Sequence, residues 1–162
     1  MRRTIRDAFS DIISSKYPDA QGIAGVATGA IAHGALVAEQ LDLPFIYIRS
    51  SAKGHGLENL VEGHYTSNQR FVVIEDLIST GGSSVKAIEA LRSSNCEVLG
   101  MVAIFTYGFP KAVDNFFRAK CPVDTLSNYE TLINIASETG YIDKDAVSTL
   151  QEWRKSPDTW GK

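Results

Sequence analysis

The sequence predicts an α/β fold, in which a doubly wound and mainly parallel sheet is flanked by helices. Short apolar runs alternate along the chain with segments whose apolar residues recur at helical spacing, and this alternation is typical of βαβ units. The apolar runs are continuous rather than alternating, as expected for parallel strands that helices cover on both faces. With 162 residues, the chain is expected to form one domain spanning residues 1–162.

Composition and charge argue against several classes of function. The hydrophobic fraction is 44% and the charged fraction 22%, and the net charge is −3 with a pI of about 5.6. A protein that binds the phosphate backbone of nucleic acid needs a basic surface, so we expect no nucleic-acid partner. No apolar run is long enough to span a membrane, and we expect a cytoplasmic protein. Cys96 and Cys121 lack metal-binding spacing and are expected to be buried thiols.

The first half of the chain predicts two helices and two strands, followed by a long polar loop. Ile5, Phe9 and Ile12 recur at helical spacing, which indicates an amphipathic first helix. Pro18 then marks a turn. The predicted elements are a helix at residues 4–15, a strand at 22–27, a helix at 31–41, a strand at 45–48 and a loop at 49–63.

The second half continues the alternation. We expect Val113, Phe116 and Phe117 to form one apolar face of a helix that ends near residue 120. Ser127 and Glu130 have the spacing of a capping box at the start of the next helix. The predicted strands lie at residues 71–74, 98–105 and 123–126, and the further helices at residues 84–91, from 127 up to Gly140, and at 143–155.

Residues 71–84 form the stretch around which the chain is organised. A buried strand leads into two adjacent carboxylates, Glu75 and Asp76, and then into a turn rich in glycine and hydroxyl groups. Ligands of open α/β sheets bind outside the carboxyl ends of the strands. Backbone N–H groups at a helix start bind phosphate, helped by the helix dipole. The stretch therefore predicts a phosphate cup beside two acids, which suits a sugar phosphate.

Two further segments carry features of an anion site. Ala27, Thr28 and Gly29 form a small turn after the first strand, where only backbone groups and the Thr28 hydroxyl are available to an anion. In the long loop, Arg49, Lys53 and His55 concentrate cationic donors within an acidic chain. Such a loop can close over an anionic ligand, exclude water and stabilise developing negative charge. A solvated loop with incidental charges is the alternative interpretation.

The residues of the phosphate stretch resemble a known signature. Residues 72–83 are similar to the phosphoribosyl pyrophosphate (PRPP) motif of the type I phosphoribosyltransferases, with a strand, two acids and a Thr-Gly turn in fixed order. The resemblance implies the fold of that family and a Mg²⁺-dependent glycosyltransferase. It also implies that the turn after the first strand contacts pyrophosphate. The PRPP-binding residues that it implies within this motif are Glu75, Asp76, Leu77, Ile78, Ser79, Thr80, Gly81, Gly82 and Ser83.

The loop sharpens the resemblance. The spacing of Arg49, Lys53, His55 and Gly56 is similar to the catalytic loop of the orotate phosphoribosyltransferases, although Ser50 stands where the family often has a second basic residue. The resemblance implies that Arg49, Lys53 and His55 bind PRPP and that Lys53, His55 and Asp76 act in catalysis. It implies a homodimer, in which residues 49–56 reach into the neighbouring subunit's site. No direct protein ligand is expected for Mg²⁺, which PRPP holds, with Asp76 as a contact through water.

By resemblance, the chain transfers the 5-phosphoribosyl group of PRPP to orotate, giving orotidine 5′-monophosphate and pyrophosphate in de novo pyrimidine (UMP) biosynthesis. Ser79 and Tyr107 are the candidate orotate contacts, and for Tyr107 stacking on the base and packing at a turn both stay open. The arginine that many orotate enzymes carry near Tyr107 is absent. Because the first helix begins within a few residues of Met1, we expect the N-terminal hood segment of the family to be lacking. The alternatives are a phosphoribosyltransferase for another base and a non-catalytic PRPP-binding module.

Overall fold

The computed structural model describes residues 1–49 and 60–161. In that part of the chain, six strands form one sheet in the order β3-β2-β1-β4-β5-β6. In chain order the elements are α1 (Arg2–Lys16), β1 (Gly22–Val26), α2 (Ile31–Leu41), β2 (Phe45–Ile48), β3 (Val61–Glu62), β4 (Arg70–Ile78), α3 (Gly82–Ser93), β5 (Glu97–Thr106), α4 (Pro110–Arg118), β6 (Val123–Asn128), α5 (Tyr129–Glu138), α6 (Ala146–Lys155) and a 3₁₀ turn at Pro157–Thr159.

The sheet is mainly parallel, which confirms the predicted fold class. Every strand pair is parallel except the pair of β2 with the two-residue edge strand β3. From β1 the chain moves one way to β2, and from β4 it moves the other way to β5 and β6. Because crossovers are right-handed, α2 and α3 cover opposite faces of the sheet. The strand order therefore reverses between β1 and β4, where such sheets bind ligands.

The two strands at this reversal are also the most deeply buried. All five residues of β1 are buried, and residues 71–74 of β4 are 0% exposed. Phe9 and Ile13 of α1 pack into the same core. Each large apolar side chain that is fully buried contributes roughly 1.5–3 kcal/mol relative to leaving it exposed. The loops at the carboxyl ends of β1 and β4 are therefore carried by the best-packed part of the molecule.

Strand β4 is longer than the sequence predicts. It runs from Arg70 to Ile78, through both acids, because its register with β5 continues as Leu77 opposite Phe105 and Ile78 opposite Thr106. Glu75 and Asp76 are therefore strand residues rather than residues of a loop. Side chains of adjacent strand residues point to opposite faces, so the two carboxylates have different surroundings.

Three smaller predictions are wrong. Part of the predicted loop at 49–63 forms the strand β3, which two residues without periodicity could not signal. In α4 only one face is covered: Phe116 is buried, whereas Val113 and Phe117 are 66% and 81% exposed. The cap of α5 is Asn128 and not Ser127, because the Asn128 side chain accepts a hydrogen bond from the N–H of Thr131 at 2.9 Å.

Within the described residues, none of the helices is both long enough and apolar enough to cross a bilayer.

Candidate active site

The turn after β1 and the first turn of α3 border one cavity, which Gly29 and Ser83 line. It has a volume of about 600 Å³ and lies at the carboxyl ends of β1 and β4, where the strand order reverses. Because the sequence places Gly29 and Ser83 more than 50 residues apart, only the parallel pairing of β1 with β4 brings them together. Among the residues that line the cavity are Ala27, Thr28, Gly29, Arg49, Glu75, Asp76, Leu77, Ser83 and Lys86.

Glu75 points inward, to the side of the sheet that α3 covers. It is 5% exposed, and its Oε2 accepts a hydrogen bond from the Ser84 hydroxyl at 2.9 Å. Its Oε1 accepts a hydrogen bond from the backbone N–H of Asp76 at 3.1 Å. Ser84 is itself buried in the first turn of α3. The bond therefore connects β4 to α3, the helix that follows the predicted phosphate-binding turn at residues 79–83 (the phosphate turn).

Burial raises the pKa of Glu75 to about 7, from an ordinary value of 4.5. The largest cause is desolvation of the carboxylate, and a hydrogen bond with the Asp76 carboxyl raises the pKa further. The hydrogen bonds from Ser84 and from the Asp76 N–H act in the opposite direction, because they favour the charged form. As a result of these opposing effects, the Glu75 carboxyl is about half protonated near neutral pH.

We expect Glu75→Gln to remove a pH-dependent loss of stability. The pKa of Glu75 is higher in the folded than in the unfolded chain, so the protonated carboxyl stabilises the folded chain. This stabilisation is fully present below pH 4.5 and is lost as the pH rises to about 7. Relative to wild type, the free energy of unfolding of Glu75→Gln should therefore rise by about 2–3 kcal/mol between about pH 5 and pH 8. Urea unfolding of both proteins at a series of pH values measures the difference. Parallel curves would show that Glu75 is not perturbed in the folded chain.

Asp76, in contrast, is exposed. Its Oδ1 accepts a hydrogen bond from the Leu77 N–H at 2.8 Å. Its carboxylate lies against Gly29, so closely that a Cβ atom built on Gly29 would overlap with Asp76 Oδ2. The peptide bond between Ala27 and Thr28 in the same turn is cis. The turn after β1 and the acid of β4 therefore form one continuous surface, which only glycine at position 29 permits.

The turn after β4 has the form of an anion cup. Gly81 has a φ of 76° and is the N-cap of α3, without a hydrogen bond from a capping side chain. Gly82 and Ser83 open the helix, whose first N–H groups have no partner further back in the helix. Unpaired N–H groups at a helix start attract phosphate. Phosphate binding by residues 79–83 stays a prediction.

Of the predicted loop at residues 49–63, Arg49 and Leu60 line the cavity. The Arg49 N–H donates to the carbonyl oxygen of Leu60 at 2.8 Å. The Arg49 guanidinium lies 3.4 Å from Glu62 of β3. Lys53, His55 and Gly56 lie outside the described residues. Since Arg49 and Leu60 are adjacent across the β2–β3 pair, both ends of the intervening segment stand beside the site.

Tyr107 is packed among aromatic side chains. The centroids of four rings lie between 5.2 and 5.9 Å from its own. It also lines a second cavity of about 470 Å³, together with Ser79 and Thr80 of the phosphate turn. The packing interpretation of Tyr107 is therefore supported, and a contact with a base stays a prediction. The four rings belong to Phe105, Phe109, Tyr129 and Trp153.

An arginine that contacts the backbone at Tyr107 was not predicted from the sequence, because it lies 47 residues further along the chain. Arg154 of α6 donates from Nε to the Tyr107 carbonyl oxygen at 2.8 Å and from Nη2 to that of Gly108 at 3.2 Å. Gly108 has a φ of 64°. Lys86 and Ser84 were missed as well, because a helix-surface lysine and a serine in a first turn carry no distinctive pattern. For Arg154 the only signal would have been its place in the predicted last helix.

The acids fit a magnesium ion that is held mainly by a substrate. No group of three or more His, Cys, Asp or Glu side chains that could hold a metal is present among residues 1–49 and 60–161. The exposed Asp76 carboxylate is the available oxygen donor, because both oxygens of Glu75 accept hydrogen bonds. Mg²⁺ keeps several waters and often relies on one or two carboxylates and substrate phosphates.

The fold and this site define a phosphoribosyltransferase. Residues 1–140 match the family of the phosphoribosyl transferase domain, and the chain belongs to that family. It belongs, more narrowly, to the orotate phosphoribosyltransferases. It is 58% identical over 161 residues to the orotate phosphoribosyltransferase of Porphyromonas gingivalis, a match that covers 99% of this chain and 77% of that protein.

Two further relatives agree. The orotate phosphoribosyltransferase of Phocaeicola vulgatus is 54% identical over 160 residues, which are 99% of this chain and 76% of that protein. The crystal structure of orotate phosphoribosyltransferase from Aeropyrum pernix superposes with a TM-score of 0.74 at 28% identity, covering 86% of this chain and 76% of that one. The resemblance drawn from residues 72–83 and 49–56 is confirmed.

Proposed function

We propose that this chain transfers the 5-phosphoribosyl group of PRPP to orotate, with orotidine 5′-monophosphate and pyrophosphate as products, as a step of de novo pyrimidine biosynthesis. The observation that carries the proposal is the cavity at the β1–β4 reversal, where the turn at Gly29, the Asp76 carboxylate and Ser83 in the first turn of α3 meet. Membership of the orotate phosphoribosyltransferase family supports orotate as the base. A cytoplasmic location stays a prediction.

PRPP has three parts, and each has a place at the carboxyl ends of β1 and β4. The backbone of residues 79–83 receives the 5′-phosphate, because the first N–H groups of α3 have no acceptor within the helix and no backbone acceptor among the described residues. Asp76 accepts hydrogen bonds from the ribose hydroxyls, since its carboxylate is exposed beside the cup. The turn at residues 27–29 receives the pyrophosphate through backbone groups and the Thr28 hydroxyl. Glu75 accepts a hydrogen bond from the Asp76 N–H and, when ionised, adds a negative charge beside Asp76.

Positioning and electrostatics account for the reaction, and no covalent nucleophile is needed. Mg²⁺, when bound through PRPP, supplies positive charge to the leaving pyrophosphate. Lys53 stabilises the same developing charge, and His55 donates a proton or a hydrogen bond to it. Asp76 stabilises positive charge at the anomeric carbon of the ribose. Orotate attacks that carbon as pyrophosphate leaves, from the side of Ser79 and Tyr107.

A direct assay tests the proposal. The chain is incubated with PRPP, Mg²⁺ and a panel of bases, and pyrophosphate release is followed. We expect release with orotate alone. Turnover with a purine or with uracil instead would select a phosphoribosyltransferase for another base. Binding of PRPP by calorimetry without turnover on any base would select the non-catalytic module.

The active unit that we propose is a homodimer in which residues 49–56 of one chain serve the site of its partner. Mixing Lys53→Ala chains with Asp76→Asn chains tests this arrangement. A mixed dimer then has one site with both lesions and one intact site, so that random pairing restores about one quarter of wild-type activity. Each variant alone should have little activity. If the loop serves its own subunit, every site in the mixture carries a lesion and activity is not restored.

A further inference from the structure

The phosphate turn is held from outside by one side chain of α4. Asn115 Nδ2 donates a hydrogen bond to the carbonyl oxygen of Thr80 at 2.9 Å. Asn115 is partly buried and stands 35 residues further along the chain. It belongs to neither the PRPP motif nor the loop motif, so the bond joins the site to an element that has no assigned part in it.

The geometry of the peptide group gives this bond a consequence for the cup. The Thr80–Gly81 peptide is trans, like all described peptides except that between Ala27 and Thr28. In a planar trans peptide the C=O and the N–H point in opposite directions. A Thr80 carbonyl that is directed at α4 therefore turns the Gly81 N–H away from α4. Gly81 is buried, and no backbone oxygen in the described ranges accepts a hydrogen bond from its N–H, so this N–H lacks a backbone partner there.

Steric contact supports the same arrangement independently. Gly81 has a φ of 76°, and a Cβ atom built on it would lie 2.9 Å from Cε2 of Phe116. Phe116 is buried and follows Asn115 directly in α4. One residue of α4 therefore limits the approach of the turn, and its neighbour sets the direction of the Thr80–Gly81 peptide.

We propose that Asn115 is a positioning residue for the 5′-phosphate of PRPP. It touches no substrate itself. By holding the Thr80 carbonyl, it directs the Gly81 N–H into the cup before the ligand arrives, so that binding does not have to reorient the peptide. The proposal rests on the proposed function, because it takes residues 79–83 as the phosphate site.

The test compares two partial ligands that occupy different ends of the site. Ribose 5-phosphate reports on the phosphate turn, and pyrophosphate reports on the turn at residues 27–29. Asn115→Leu removes the donor at similar size, and Asn115→Asp keeps the shape but cannot donate. By calorimetry we expect the affinity for ribose 5-phosphate to fall about fivefold in Asn115→Leu, as for the loss of one hydrogen bond. It should fall further in Asn115→Asp, because the carboxylate repels the phosphate. Pyrophosphate affinity should stay within about twofold in Asn115→Leu.

Asp114→Leu is the matched control. Asp114 precedes Asn115 in α4, and its carboxylate pairs with Arg118 at 2.8 Å rather than with the turn. Ribose 5-phosphate affinity should be unchanged in this variant. Unchanged affinity in both Asn115 variants, or an equal loss for both ligands in Asn115→Leu, would overturn the proposal. A wild-type chain that fails to bind ribose 5-phosphate would instead contradict the phosphate site, and with it the proposed function.

Discussion

Gly29→Ala is expected to lower kcat/KM about 100-fold, because a displacement of about 1 Å in an active site costs that much. The added Cβ would overlap with the Asp76 carboxylate. Gly29 has no positive φ, so alanine causes no backbone strain and the effect comes from this overlap alone. Either the turn at residues 27–29 or the acid of β4 has to move, and each is proposed to bind PRPP. Steady-state kinetics with PRPP and orotate measure the change.

Gly140→Ala serves as the control for Gly29→Ala. Gly140 has a φ of 72°, and nothing lies within 4 Å of a Cβ built on it. Alanine at position 140 therefore strains the backbone and lowers the melting temperature, but it displaces no group of the site. We expect its kcat/KM to stay at the wild-type value. A Gly29→Ala protein that retained kcat/KM within about threefold would show that the Gly29–Asp76 contact has no part in binding or catalysis.

Lys53→Ala is expected to lower turnover by about 10²–10³, which is the usual cost of removing one group that stabilises transition-state charge. The melting temperature should not change, because we propose that Lys53 acts on the substrate and not in the core. PRPP affinity should change much less than turnover, since the interaction is made mainly when pyrophosphate carries its developing charge. Rapid-quench or steady-state assays give turnover, and calorimetry gives PRPP affinity.

The Lys86→Ala variant tests whether the effect of Lys53→Ala is specific to Lys53 or follows from the loss of any positive charge near the cavity. Lys86 is an exposed lysine on the α3 side of the same cavity. If positive charge near the cavity were all that mattered, the two variants would lose turnover equally. We expect Lys86→Ala to lose less than about tenfold, as for a solvated charge without a reacting partner. Equal losses in both variants would remove Lys53 from its catalytic assignment.

Much of the site could be predicted from local patterns. The two acids after an apolar strand, the glycine turn before a helix and the small turn at Gly29 lie within short stretches, where a strand end and a helix start follow each other directly. The rule that ligands bind at the carboxyl ends of parallel strands then places these turns on one edge of the sheet. Of the predicted cationic loop, Arg49 lines the cavity, whereas Lys53 and His55 lie outside the described residues and their roles stay predictions.

Contacts between residues far apart in sequence could not be predicted. Asn115 and Arg154 hold the carbonyls of Thr80 and Tyr107 from 35 and 47 residues away. The side chains of asparagine and arginine on a helix surface carry no sign of such partners. The length of β4 was also missed, because two carboxylates are poor strand formers by propensity. The pairing of β4 with β5 outweighs that propensity.

The sequence by itself determined the class of the fold, the order of its elements and the chemistry available at each turn, because periodicity and turn chemistry act over a few residues. Only the tertiary structure decided how that chemistry is divided between the two acids. Parallel pairing extends β4 through Glu75 and Asp76, so that α3 packs over one acid and the turn after β1 lies against the other. One carboxyl group is buried against Ser84 with a raised pKa, and the other is exposed beside Gly29.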